Sequence, residues 1–261
     1  MLLSLPYPCV RRTPGVLSHV KAMFQPRTYR DTARHQDLVS FRVCLAETDL
    51  QIAAERDLSA EALAAVKAAR GEVQAEIVRN RAFLTSLEPL PVSADATPLV
   101  KRMYETTAAA GVGPMAAVAG AVAEYVGDSL LPHSPQVIVE NGGDIFLSTK
   151  TERIVSVHAG SSSLSGRVGL RIPPDSRLGI CTSSATVGHS LSLGKADAGL
   201  IIAADGALAD AVATAFTNRI KSPATIQEAL DWARTVPGVL QALGIIGGTM
   251  GVWGEFELVT L

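Results

Sequence analysis

The sequence predicts an α+β fold, in which antiparallel strands are segregated from long helices, and three observations carry that expectation. Apolar residues alternate through "LVSFRVCLAETDLQIAAE" as they do in a β-hairpin. Five short β-rich runs, "QVIVE", "DIFLS", "RIVSVH", "GRVGLRI" and "LGICT", follow one another between Gly, Ser and Pro, as in an antiparallel meander. Segments of helical periodicity separate these groups instead of alternating with single strands, which argues against a strictly parallel α/β sheet.

Taken in order, residues 1–26 hold four prolines and read as an irregular extension. In the hairpin, Val39, Phe41, Val43 and Leu45 face Leu50, Ile52 and Ala54 across a polar "ETD" turn. Ser59 is placed to cap a helix whose Leu63, Val66, Val73 and Ile77 share one face. "SLEPLPVSADATP" reads as a connection. A second helix starts at Pro114, a good first-turn residue, and runs to about Leu130 with Val118, Val122, Tyr125 and Val126 inward. The meander follows, then the buried strand "AGLIIAA", the helix "GALADAVATAFTNRI", the helix "TIQEALDWARTV" and the strand "FELVTL".

At 261 residues, 48% hydrophobic and 18% charged, the chain can bury a substantial core. Its formal net charge of −2 supplies no basic footprint for nucleic acid and no polybasic patch for a membrane, so a small ligand or a protein is the expected partner. An oligomer is compatible with this. Cys9, Cys44 and Cys181 are odd in number and widely spaced, which points to a reducing compartment and away from disulfides or structural zinc. The start, "MLLSLPYPCVRRTPG", has too short an apolar run for a secretory leader, and the protein is expected in the cytoplasm. Two uncharged windows, "TTAAAGVGPMAAVAGAVA" and "VPGVLQALGIIGGTMGVWG", are rich in Ala, Gly and Pro. They read as buried or tightly turned core rather than membrane spans.

Three stretches carry candidate chemistry. Asn141-Gly142-Gly143-Asp144 directly follows a strand. Residue type suits a tight turn first; the alternative is a place where backbone N–H groups approach a phosphate while Asp144 orients the turn or a ligand hydroxyl. Asp210 and Thr214 lie one turn apart on a helix and offer oxygen ligands suited to Mg²⁺, or else form a polar stripe; Asp205 stands in that helix's favourable first turn. "GICTSSATVGHSLSLGKADAGL" holds Thr182, Ser183, Ser184, His189 and Lys195, and reads as a phosphate-contacting segment or a Ser-rich turn. It lacks a nucleophile elbow, and Cys181, ending an apolar run, is a buried small hydrophobe.

In their order along the chain, "VGPMAAVAGAVAE", "VENGGDIF", "CTSSATVGHSLSLGKAD" and "ALADAVATAF" resemble the ApbE-like superfamily of Mg²⁺-dependent FAD:protein FMN transferases, and more closely a cytoplasmic branch distinct from the characterised transferases. The resemblance spans about residues 28 to 261. It implies an ApbE-like fold of antiparallel sheets packed with helices in two related halves, with residues 27–261 as one domain. It implies Mg²⁺ on Asp210 and Thr214, FAD as substrate or ligand, and cofactor contacts from Asn141, Gly142, Gly143, Asp144, Thr182, Ser183 and Ser184. His189 falls where the family has a histidine, and His189 or Asp210 would be the catalytic base toward an acceptor protein's threonine. Two positions depart from the family: "SLGKAD" replaces an Asp-Pro-x-Thr-Gly stretch, and Ala119 stands where a lysine is common. The implied function is therefore Mg²⁺-dependent FAD binding with phosphoanhydride cleavage or FMN transfer. The alternative is a module that binds a nucleotide, another cofactor or a protein without turnover.

Overall fold

The computed structural model describes residues 37–185 and 194–261, and its strands pair antiparallel throughout. The α+β class is borne out. Strands β1 (Val39–Leu45) and β2 (Thr48–Ala54) form the expected hairpin, but its turn is only Ala46-Glu47, with Ala46 at φ 51°. Thr48 and Asp49 belong to β2, where buried Asp49 takes two hydrogen bonds from Arg42 at 2.7 and 2.8 Å. The hairpin is half-buried only along β1, because β2 lies inside the sheet.

Helix α1 (Ser59–Arg79) buries Val66 and Val73, with Leu63 and Ile77 partly covered. Ser59 opens this helix instead of capping it, and the Asp57 carboxylate accepts the Ser59 N–H at 2.8 Å. The short α2 (Ala82–Thr85) leads into the expected connection. Helix α3 (Pro98–Ala110) was not foreseen; it ends on Gly111 at φ 72°, the left-handed cap glycine favours. A 3₁₀ turn at Pro114–Ala117 then starts α4 (Val118–Leu130). The chain bends by 104° at this elbow, and no single helix among the described residues is long and apolar enough to cross a membrane.

The remaining elements are β3 (Val137–Asn141), β4 (Asp144–Thr149), β5 (Arg153–Ser156), β6 (Val168–Ile172), β7 (Ser176–Ser183), β8 (Ala198–Ala203), α5 (Gly206–Arg219), α6 (Ile226–Arg234), β9 (Val239–Ile246), β10 (Thr249–Gly254) and β11 (Glu257–Thr260). The predicted meander divides. β3, β4 and β7 stay in an eight-stranded sheet ordered β1-β2-β3-β4-β7-β8-β9-β10, while β5 and β6 leave to join β11 in a three-stranded sheet. The glycine-rich window near the C-terminus, read as buried or tightly turned core, forms the hairpin β9–β10.

The large sheet alternates between two cores, as a period of two requires. Val137, Val139, Phe146, Cys181 and Ile201 pack under the helices, and Ile138, Leu147, Ile180, Leu200 and Ile202 face the small sheet. The sheet itself reads as two halves of the same plan, each a hairpin, a helical connection and a second hairpin: β1–β2 to β3–β4, then β7–β8 to β9–β10. Their helices meet where α4 crosses α5. A Cβ on Gly120 would collide with the Gly206 carbonyl, and one on Gly206 with the Gly120 carbonyl, so only glycine at both positions permits this approach.

Candidate functional site

Beside that crossing, β4 and β7 meet one side of α5 while β3 packs against α4. The turn between β3 and β4 is the two-residue link Gly142-Gly143, with φ of 72° and 108°, and Asn141 pairs with Asp144 across it. Positive φ at both central positions matches the right-handed twist of the strands and explains the two glycines. The Gly143 N–H is taken by the buried Glu140 carboxylate at 2.8 Å, while the Asn141 amide donates to the Ala119 carbonyl at 3.1 Å. The turn is thereby tied to the start of α4.

Helix α5 is buried on nearly every side. Asp210, Thr214 and Asn218, at successive steps of four, are its half-open stripe, apart from Arg219 at its end. Its N-terminus is held firmly: Asp205 accepts the Leu208 N–H at 2.8 Å and pairs with Arg102, and Glu124 accepts the Gly206 N–H at 2.8 Å. Asp205 is thus the N-cap of the helix.

Asp144 and the three α5 residues line one cavity of about 290 Å³, roofed by Leu84 of α2, Leu87 just after it, and Val112, Met115 and Val118 of the elbow. Ala119 is also in its wall, and no Lys, Arg or His among the described residues lines it. The Asp210 carboxylate accepts the Gly120 N–H at 2.9 Å. Burial nevertheless pushes its carboxyl up to about 7, against the opposing pull of the Gly120 and Ala119 N–H groups. Asp144 is held well above the usual carboxylate range, first by burial and then by the charge of Asp210, although Cys181 and the Thr182 N–H bond to it. Two neighbouring carboxyl groups of this kind cannot both ionise freely. The Cys181 thiol is likewise pushed up, by burial first and then by the two aspartates, and stays protonated.

The expected residues thus separate. Asp144, Asp210 and Thr214 are brought together, with Asn141 and the Gly142-Gly143 turn supporting them. Thr182 and Ser183 end β7 and Ser184 follows it, but none lines the cavity. His189 lies outside the described residues. Asn218 was missed, although it continues the four-residue spacing of Asp210 and Thr214. Among the described residues no three His, Cys, Asp or Glu side chains gather as a metal-binding group. The donor set is two carboxylates and a hydroxyl, hard oxygens of the type Mg²⁺ prefers, and the residues present fit that ion.

A family model described as AbpE bacteria matches residues 30–248. A UPF0280 protein of Methanocella arvoryzae is 42% identical over 232 residues, covering 88% of this chain and 91% of its own length. A UPF0280 protein of Methanocaldococcus jannaschii is 40% identical, covering 73% and 80%. Among solved structures, the ApbE protein of Thermotoga maritima superimposes with a TM-score of 0.55 at 12% identity, over 82% of this chain and 96% of that one. The flavin transferase ApbE of Vibrio cholerae does so with a TM-score of 0.56 at 13% identity, over 85% and 96%. These likenesses establish the ApbE-like fold.

Proposed function

The chain belongs to the family described as AbpE bacteria, and from that premise we propose that it binds FAD with Mg²⁺ between α5 and the α3–α4 elbow and cleaves the phosphoanhydride there, passing FMN to an acceptor protein or to water. The observation that carries this reading is the convergence of Asp144 and Asp210 on one cavity, with no salt bridge to either among the described residues. The description of the Vibrio cholerae protein as a flavin transferase supplies the substrate class. Mg²⁺ held by Asp210, Thr214 and Asp144 would neutralise the pyrophosphate and favour departure of the leaving phosphate.

The chain's own residues do the rest. The N–H groups of Ala119 and Gly120 aim the Asp210 carboxylate, and the Thr182 N–H aims that of Asp144. Gly142 and Gly143 form the positive-φ turn that sets Asp144 at the start of β4. Leu84, Leu87, Met115 and Val118 give that side of the cavity an apolar wall. His189 or Asp210 takes the proton of the attacking hydroxyl. Both halves of residues 27–261 contribute to the cavity, and they act as one domain.

Incubation of the purified protein with FAD and Mg²⁺ is expected to release AMP, and Asp210→Asn to reduce the rate by about a hundredfold or more. Absence of AMP, with or without candidate acceptor proteins, overturns the chemistry. A second reading, binding without turnover, is favoured by Ala119 in the cavity wall where transferases often carry a lysine. A thermal shift with FAD and Mg²⁺ but no AMP selects it.

A further inference from the structure

We propose that Asn218 selects the ligand, by hydrogen-bonding the hydroxyl-bearing spacer that joins the metal-held phosphates to the rest of the nucleotide; this rests on the cavity being the nucleotide site. Along the open stripe of α5 the side chains run carboxylate, hydroxyl, amide at Asp210, Thr214 and Asn218, each about 6 Å further along the axis. The full stripe spans about 12 Å, which is longer than a pyrophosphate. A ligand whose phosphates sit at Asp210 and Thr214 therefore presents its next group at Asn218. A side-chain amide both donates and accepts, which suits neighbouring hydroxyls of a sugar or polyol. A ring system would find its contacts on the apolar roof of Leu84, Leu87 and Met115 instead.

The test is calorimetric titration, in Mg²⁺, of pyrophosphate, FMN, ADP and FAD into the full-length protein and into Asn218→Ala and Asn218→Leu. The leucine variant keeps the number and branching of the side-chain heavy atoms while removing the donor and the acceptor. Both variants are expected to weaken FAD about tenfold and to change pyrophosphate by less than about twofold. Whether FMN or ADP shares the loss decides between a ribityl chain and a ribose at Asn218. Equal losses for pyrophosphate and FAD, or no loss for FAD, overturn the assignment. If the wild-type protein binds none of the four in a Mg²⁺-dependent way, the nucleotide reading of the cavity fails first and this inference with it.

Discussion

Asp210 and Asp144 tie the stability of the empty protein to pH. The folded state holds protons on carboxyls that the unfolded chain releases near pH 4, so stability is complete below that pH and is lost as pH rises through about 7. In metal-free buffer the melting temperature is expected to fall between pH 5 and 8, and Asp210→Asn to flatten the curve; a wild-type profile already flat over that range would contradict this. Away from the cavity, the Tyr104 hydroxyl donates to buried Glu76 at 2.7 Å and is itself pushed up to about 12. Tyr104→Phe should cost about 1–3 kcal/mol in urea unfolding, the usual range for weakening a buried bond to a charged group. The spacing of Asp210 and Thr214 and the Gly-Gly-Asp turn were legible in the sequence because both are local. That Asp144 faces Asp210 was not, since only the pairing of β4 with β7 and the seating of α5 bring them together.

Glycine misleads at the scale of elements. β9 and β10 carry Gly244 and Gly251, in a window equally compatible with tight turns, yet a side chain on either would collide with Phe216 and Ile220 of α5 and its exit, or with Ile226 and Leu230 of α6. Close helix-to-sheet packing is their purpose, and a pattern of apolar residues cannot register a missing side chain. α3 escaped notice although Leu99, Val100, Met103 and Tyr104 recur at helical spacing, because Gly111 and Pro114 break the apolar window into which it runs. The α4–α5 crossing is the element contact on which the site most depends. Gly120→Ala is expected to destabilise the protein by about 2 kcal/mol or more, through overpacking against Gly206. Because the Gly120 N–H also holds Asp210, the same variant should weaken Mg²⁺-dependent ligand binding. Unchanged denaturation midpoints would show that the helices can part without cost.

Over the whole molecule, the class was legible from hairpins and helices, but the second sheet was not. β11 comes from the far end of the chain to pair with β6, a non-local contact that leaves no trace in either segment. The cavity belongs to both halves, with Asp144 from the first and Asp210 and Thr214 from the second. A ligand held there should stabilise the fold as a unit: FAD with Mg²⁺ at a hundred times Kd should add about 2.7 kcal/mol in a single transition, and FAD alone much less. Two separate transitions under ligand would contradict that cooperation. The division has a consequence for biosynthesis. During translation the hairpin that carries Asp144 leaves the ribosome well before the helix that carries Asp210, so a nascent chain owns half of the acidic pair and none of the enclosed pocket. Any ligand that needs both aspartates therefore meets its complete site only after α5 has been synthesised.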